Sequence, residues 1–170
     1  MPEPLTIQPC SYDDPDAVEL TCQVQDLYRQ LYGGTDDTPM TAEEFTPPSG
    51  TFLLGYRGEE AVAMGGWRFL PGRPSGAQRP VEIKRMFVRP ELRGHGYGRQ
   101  MLLALETSAA AAGADWVLLS TGEPQVEAVG LYRRSGYREV PPFGFFACTP
   151  AAIHLGRPLG GDQARFSAAS

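Results

Sequence analysis

Three glycines alternate with larger residues in the segment Arg93-Gly94-His95-Gly96-Tyr97-Gly98. Before it, residues 81–88 predict a strand, and Pro90 ends that strand. After it, residues 98–112 carry apolar side chains at helical spacing and predict a helix that ends at Gly113. Glycines let the backbone amides turn toward a ligand, and the helix adds the positive end of its dipole. A strand, a glycine-rich turn and a helix in this order predict a pyrophosphate site.

The spacing of these glycines argues against two other classes of phosphate-binding loop. A Walker loop ends in Gly-Lys-Ser or Gly-Lys-Thr, whereas this segment ends in Gly98-Arg99. The dinucleotide motif GxGxxG belongs to a parallel sheet of alternating strands and helices, but the strands of this chain begin with a hairpin over residues 51–70. A nucleotide-binding oxidoreductase is therefore not predicted.

The glycine-rich segment resembles the Arg/Gln-x-x-Gly-x-Gly/Ala motif of the GNAT superfamily of acetyltransferases, which also follows a strand and opens a helix. Upstream, residues 81–90 are similar to the family's central strand. Downstream, residues 125–132 and Gly136-Tyr137 resemble its Asn-x-x-Ala-x-x-Leu-Tyr and Gly-Phe/Tyr signatures. These stretches lie in the family's order between residues 81 and 140, about a third of the chain.

The resemblance implies an acetyl-coenzyme A cosubstrate, no metal, and a defined set of cofactor-binding residues. Backbone groups of the central strand would pair with the pantetheine arm and aim an amide at the thioester oxygen. Amides of the glycine-rich segment would hold the pyrophosphate, with His95 contributing its backbone only. Gln125 stands where the family often has asparagine. The implied contacts are Met86, Phe87 and Val88 for the pantetheine, Arg93, Gly94, His95, Gly96, Tyr97, Gly98 and Arg99 for the pyrophosphate, and Gln125.

Two side chains are candidates for proton transfer. Tyr132 stands where the family usually has the acid that protonates the leaving thiolate, and a phenol near the sulfur can donate that proton. Glu82 is the candidate base, because the acceptor amine must lose a proton and a carboxylate in a central strand must be paired or functional. Lys84, on the same strand face, is the alternative structural partner of Glu82. His154 lies near the end of the chain and is interpreted as incidental.

The remaining pattern predicts an α/β fold of the GNAT type. We expect a mixed, mostly antiparallel sheet of six or seven strands, with helices on both faces, splayed at the central strands. A single domain is expected over residues 1–158, followed by a disordered tail over residues 159–170. Outside the segments already described, the expected strands are 51–56, 60–70, 116–120 and 143–148, with an edge strand left open after Thr149, and the expected helices start near Pro15, Thr41 and Pro124.

Charge is distributed unevenly along the chain, whose net charge is −5. The first sixty residues hold twelve of the twenty carboxylates but only two arginines. In the family such N-terminal helices border the acceptor site, so this acidity favours a cationic acceptor. The overall acidity argues against nucleic acid as a partner. There is no signal peptide and no run of roughly 20 apolar residues, which predicts a cytoplasmic protein without a membrane partner.

The sequence leaves the acceptor open. A small-molecule primary amine, acetylated by direct transfer in a ternary complex, is the principal hypothesis. The alternatives are a peptide or protein N-terminal acetyltransferase and a noncatalytic acyl-coenzyme A sensor, and a homodimer is left open as the assembly. The three cysteines cannot all pair and have no CxxC spacing, so neither a disulfide framework nor a zinc site is predicted.

Overall fold

The computed structural model describes residues 3–160, which form one seven-stranded sheet with three α-helices. The strands are β1 (Thr6–Cys10), β2 (Gly50–Arg57), β3 (Glu60–Phe69), β4 (Pro80–Val88), β5 (Trp116–Gly122), β6 (Arg138–Glu139) and β7 (Ala152–Pro158), and the helices are α1 (Pro15–Tyr32), α2 (Tyr97–Ala111) and α3 (Val126–Arg134). The order across the sheet is β1-β2-β3-β4-β5-β7-β6, and only β4 and β5 are parallel. The predicted mixed, mostly antiparallel sheet is confirmed.

Helix α1 begins and ends at the residues that the sequence indicates. The Asp14 carboxylate caps its N-terminus by accepting a hydrogen bond from Asp16 N (2.9 Å), and Pro15 occupies the first turn. Gly33 ends the helix in the left-handed conformation, with φ of 76°. The buried residues Ala17, Leu20 and Val24 lie on one face of α1 and attach it to the sheet.

The sheet is covered on both faces, because alternate residues of its strands belong to two separate core clusters. Phe52 and Leu54 of β2 pack in the cluster of α1, whereas Leu53 between them packs in the cluster of α2. On the α2 side the helix contributes Met101, Leu102, Leu105 and Ala109. Helices on both faces were predicted, and this too is confirmed.

The central strands separate soon after they meet. Strands β4 and β5 pair only at Pro80 with Trp116, Val81 with Val117, and Glu82 with Leu118. Beyond these pairs β4 continues to Val88 and β5 to Gly122 without further pairing to each other. The β5-facing edge of β4 is therefore left with backbone groups that no strand of the described chain satisfies. The predicted splay is present at this edge.

A β-bulge interrupts β4 next to the splay. The pairing of β3 with β4 shifts by one residue between Met64 and Gly66, and Arg85 has a φ of 58°, in the left-handed region. A side chain cannot replace Gly66, because its Cβ would lie 2.5 Å from the Phe52 ring. The bulge directs both Lys84 and Arg85 toward one carboxylate, that of Asp36.

Three sequence-based assignments are corrected by the structure. Residues 143–148 do not form a strand but a series of turns, because Pro141-Pro142 and Gly144 disfavour a regular extended ladder. The final strand is instead β7, and it lies between β5 and β6 rather than at the edge. The helix expected after Thr41 is only one 3₁₀ turn, Glu43–Phe45, because Pro47-Pro48 follows at once.

The structure describes two residues of the expected tail, Leu159 and Gly160. Leu159 donates a backbone hydrogen bond to Asp115 O (2.8 Å) and packs against the core of α2. Most of the expected tail, residues 161–170, lies outside the described residues. No helix within residues 3–160 has the length and apolar character needed to cross a membrane.

Candidate functional site

A cavity of about 870 Å³ lies at the splay, between the end of β4 and the N-termini of α2 and α3. Its wall on the α1 side consists of Val24, Leu27 and Leu31. The structure brings together on this cavity all but two of the predicted site residues, the exceptions being Glu82 and His95. The predicted residues that line it are Met86, Phe87, Val88, Arg93, Gly94, Gly96, Tyr97, Gly98, Arg99, Gln125 and Tyr132.

The floor of the cavity at α2 is a row of unsatisfied backbone donors. Within residues 3–160, no backbone or side-chain acceptor binds the four amides from Gly96 to Arg99 at the N-terminus of α2. Gly94 and Gly96 both have φ of 82°, and Gly96 caps α2 without any side-chain hydrogen bond. Four N–H groups without an internal partner, at the positive end of a helix, can bind a phosphate group.

The side chains of this segment have different surroundings. Arg93 folds back, with its Nε donating to Val88 O (3.3 Å) and its guanidinium above the Phe87 ring. Arg99 is exposed on the first turn of α2. His95 points away from the cavity, with Nδ1 at 3.1 Å from Leu92 O and the ring stacked on Tyr97. Arg99 is therefore the better placed of the two predicted arginines to reach a bound anion.

Gln125 lies at the rim of the cavity and joins α3 to α1. Its Nε2 donates to the Tyr32 hydroxyl (2.9 Å), and its backbone carbonyl accepts from Val129 N. Tyr32 in turn lies against Gly122, where a Cβ would be 2.4 Å from the Tyr32 oxygen. The Gln125 side chain thus connects α3 to α1 through Tyr32, at one side of the splay.

Tyr132 presents a protonated hydroxyl to the cavity. Its ring is buried, and no residue of the described chain hydrogen-bonds to its oxygen. Burial raises the pKa of Tyr132 well above the ordinary value, and the nearby Tyr28 adds to this effect. Burial likewise raises the pKa of Tyr28 to about 12. Both phenols therefore stay protonated at neutral pH and can act as proton donors.

Glu82 lies at the start of the splay, and its partner is not Lys84. Arg68 of β3 approaches both Glu82 Oε1, with Nη2 at 3.1 Å, and Glu44 Oε1, with Nη1 at 3.2 Å. The second Glu82 oxygen, Oε2, faces Gly144 of the turn segment between β6 and β7. Glu82 is 5% exposed and does not line the cavity.

Asp36 attaches the loop after α1 to the central strand. Its carboxylate lies 3.0 Å from Lys84 Nζ and 3.3 Å from Arg85 Nη1, and it also accepts from Thr38 N (2.9 Å). Gln25 of α1 makes two hydrogen bonds to the Asp36 backbone, of 2.9 and 3.0 Å. Burial acts to raise the pKa of Asp36, but Lys84, Thr38 and Arg85 lower it below the ordinary value. The loop is thereby held over β4.

Sequence reasoning missed several residues of this region. Asp36 stands in a short polar stretch with no motif, and Tyr28, four residues after Val24 in the predicted α1, belongs to no motif. His154, interpreted as incidental, is buried on β7 beside Ser120 of β5. The one available signal was the charged row Glu82, Lys84 and Arg85 in a central strand, which requires buried counter-ions elsewhere in the chain.

The described residues contain no cluster of three or more histidine, cysteine or carboxylate side chains arranged to hold a metal ion.

Comparisons with known proteins agree with this geometry. The model of the Acetyltransferase (GNAT) family matches residues 21–137. An IAA acetyltransferase from Azospirillum brasilense is 32% identical over 145 residues, which are 85% of this chain and 92% of that protein.

Solved structures share the fold at lower identity. A Klebsiella pneumoniae protein assigned as an acyl-CoA N-acyltransferase superimposes with a TM-score of 0.75 at 24% identity, over 92% of this chain and 98% of its own. An acetyltransferase from Elizabethkingia anophelis with acetyl-CoA bound superimposes with a TM-score of 0.64 at 18% identity, over 93% of this chain and 100% of its own.

Proposed function

The chain belongs to the acetyltransferase (GNAT) family and is an acyltransferase, and from this premise we propose that it moves acetyl from acetyl-coenzyme A directly to a primary amine of a small molecule. The observation that carries the proposal is the row of four unsatisfied amides from Gly96 to Arg99 at one end of the splay cavity. A phosphate-bearing cosubstrate satisfies these donors, and a sheet edge continues from them toward Glu82.

The residues present fit coenzyme A. The amides from Gly94 to Arg99 bind the pyrophosphate, and the exposed Arg99 adds charge. The free edge of β4 at Met86 to Val88 binds the amide groups of the pantetheine arm in the manner of an added strand. Acetyl-coenzyme A supplies an activated thioester. A backbone N–H of this edge that faces the thioester oxygen stabilises the negative charge that develops there.

Tyr132 is the proposed acid. Transfer forms a C–N bond and breaks a C–S bond, so the departing sulfur needs a proton. Tyr132 lines the cavity as a neutral phenol, and its oxygen has no competing partner within residues 3–160. This combination supports Tyr132 as the proton donor to the thiolate.

Glu82 is the proposed carboxylate that assists removal of the proton from the acceptor amine, directly or through water. It lies at the last pair of β4 and β5, where the two strands part. Arg68 engages Oε1 only, which leaves Oε2 for a proton path. An ammonium group cannot attack a thioester, so a basic group at this point is required at neutral pH.

The cationic character of the acceptor remains a prediction, and the structure weakens its original support. Two of the N-terminal carboxylates lie near β4, Asp36 and Glu44, and both are already paired with cations. None of the first sixty residues contributes a carboxylate to the lining of the large cavity. Direct transfer to a small amine does not depend on this point.

The test is an amine library with acetyl-coenzyme A, read by release of free thiol and by mass of the acetylated product. The library contains matched cationic and neutral amines, assayed at low and high salt, and peptides with free N-termini. Small-amine acetylation supports the proposal, and a salt-sensitive preference for cations supports the cationic hypothesis. Acetylated peptides alone would indicate an N-terminal acetyltransferase. Cofactor binding without thiol release for any amine would indicate a sensor.

A further inference from the structure

A buried histidine and a serine form a hydrogen-bonded pair that the proposed function does not use. His154 of β7 is 6% exposed, and its Nδ1 lies 3.0 Å from the Oγ of Ser120 on β5. The two residues are direct neighbours across the antiparallel strands, and Ser120 itself is only half-buried. An imidazole behind a reachable hydroxyl is an arrangement that can accept a proton through that hydroxyl.

The pair lies just beyond the last pairing of β4 with β5, and Ser120 is on the same face of the sheet as Glu82. Glu82 is the last residue of β4 that pairs with β5, and its partner is Leu118. Because side chains alternate along a strand, Ser120 points to the same side as Leu118 and Glu82. The alternate residues of β5, Val117 and Leu119, belong to the cluster on the opposite face, that of α2. Ser120 is thus the first hydroxyl beyond Glu82 on β5.

The relay needs His154 in one tautomer. The Phe146 backbone carbonyl acts to raise the pKa of His154, as a nearby acceptor of a ring N–H does. With the hydrogen on Nε2, Nδ1 accepts from the Ser120 hydroxyl. The Phe143 ring covers the imidazole edge-on, with centroids 5.3 Å apart. The imidazole is therefore packed between a serine hydroxyl and an aromatic ring.

One charged group acts on His154, and the imidazole is neutral before reaction. Burial lowers the pKa of His154 below the ordinary value, while the Phe146 carbonyl and the Glu82 carboxylate act in the opposite direction. Arg68 lies behind Glu82, and Lys84 lies next along β4, with its ammonium above the Phe146 ring. A proton that arrives on Nδ1 thus meets a carboxylate and a carbonyl that stabilise the imidazolium.

We propose that Ser120 and His154 relay the proton from the acceptor amine, with Glu82 stabilising the imidazolium. The inference rests on the proposed acetyl transfer and names the route by which Glu82 assists it. An ammonium N–H gives its proton to Ser120 Oγ while the Ser120 hydroxyl proton moves to His154 Nδ1. The neutral amine then attacks. The nitrogen loses two protons during acetyl transfer. One passes through His154 to water. The other makes up for the proton that Tyr132 donates to sulfur.

The kinetic test uses matched hydroxyl variants with the amine that the library identifies. Ser120→Ala removes the relay and is expected to lower kcat roughly a hundredfold at neutral pH. Ser120→Thr retains a hydroxyl and is expected to retain most of the activity. Thr121→Val removes the neighbouring buried hydroxyl, which has no partner among the described residues, and is expected to leave kcat unchanged. Equal activity of Ser120→Ala and Ser120→Thr would overturn the relay.

The pH profile separates a proton carrier from a packing residue. The kcat of the unmodified enzyme is expected to rise through the pKa of His154 and then level off, whereas kcat of His154→Gln should continue to rise into the alkaline range. An unaltered profile in His154→Gln overturns the proposal. So does an acetyl group found on Ser120 by mass spectrometry, because a relay hydroxyl forms no covalent bond to acetyl.

A readout without turnover comes from nitrogen NMR of the imidazoles. The chain has two histidines, so His154→Gln assigns both signals. We expect the Nε2–H tautomer of His154, a pKa below that of a free histidine, and a changed Nδ1 shift in Ser120→Ala. The Nδ1–H tautomer, or a charged imidazole at neutral pH, would overturn the relay. An unmodified enzyme that binds acetyl-coenzyme A but acetylates no amine would instead show that the proposed function has failed.

Discussion

Arg68 Nη2 lies 3.1 Å from Glu82 Oε1 across the neighbouring strands β3 and β4. The same guanidinium reaches Glu44 and the Pro39 carbonyl, so three segments of the chain meet at one side chain. The arginine thereby orients the Glu82 carboxylate and leaves Oε2 as its open atom. If Arg68 contacted both oxygens of Glu82, neither oxygen would be left to take part in proton transfer.

Replacement of Glu82 by glutamine is expected to lower kcat/KM at neutral pH by tenfold or more, on the order of the contribution of one base. Activity should recover as the pH rises, since the amine then loses its proton without help. The control is Glu44→Gln, which removes the other, half-exposed partner of Arg68 and should leave turnover intact. Identical pH profiles for the unmodified enzyme and Glu82→Gln would exclude Glu82 from the proton path.

Two buried tyrosines of the C-terminal half have different predicted roles. Loss of the hydroxyl should affect turnover at Tyr132 and stability at Tyr137. Tyr132→Phe is expected to lower kcat roughly a hundredfold without loss of stability, because its oxygen has no partner within residues 3–160. Tyr137→Phe removes a hydrogen bond to Glu106 (3.0 Å) and should lower the free energy of unfolding by about 2 kcal/mol with normal kcat. Steady-state kinetics and urea unfolding of both variants distinguish the two roles, and full activity of Tyr132→Phe would refute the acid.

Substitution of Gly96 by valine should abolish binding of acetyl-coenzyme A. Its φ of 82° strains any side chain, and the backbone would turn its amides away from the phosphate. The control is Gly58→Val in the β2–β3 turn, where φ is 62° and the added atom also meets open space. Both variants should lose about 1 kcal/mol of stability, but only Gly58→Val should melt at a higher temperature with cofactor. Retained affinity in Gly96→Val contradicts the phosphate site.

Asp36→Asn should destabilise the protein by about 3 kcal/mol at pH 7, because Lys84 and Arg85 are buried and lose their counter-ion. The pKa of Asp36 is lower in the folded than in the unfolded chain. Its contribution is therefore complete above the ordinary aspartate pKa and is lost as the pH falls toward the folded-state value.

The stability difference between the unmodified protein and Asp36→Asn should accordingly shrink below about pH 4. Denaturant unfolding at several pH values measures it. Asp37→Asn, at the exposed neighbouring position, serves as the control and should change little at any pH. A difference that stays constant into the acid range would show that Asp36 stabilises the chain without its charge.

Local patterns predicted the parts of the fold that depend on neighbours in sequence. The cap at Asp14, the hairpin of β2 and β3, and the strand, turn and helix around Gly96 each follow from residues within one short segment. The turn segment from Phe143 was misread because three aromatic residues in six outweighed the glycine and prolines around them. Aromatic residues favour strands only where a sheet face receives them.

The pairing of distant charges could not be predicted in the same way. Lys84 and Glu82 are close in sequence and opposite in charge, yet each is paired with a residue of another segment, at Asp36 and Arg68. The bulge at Arg85 brings a second cation to Asp36, and a bulge has no periodic signal. For the same reason His154 acquires its environment only when β7 inserts beside β5.

The position of β7 between β5 and β6 has a consequence for the order in which the chain assembles. Each of β1 to β4 finds a partner among residues up to 88, so this part of the sheet can form while the ribosome is still adding later residues. Strand β6 pairs with β7 alone, and Ser120 meets His154 only once residues 152–158 have been made. A ribosome that stalls before residue 152 would therefore release a nascent chain with an ordered N-terminal half, an exposed β5 edge and no relay.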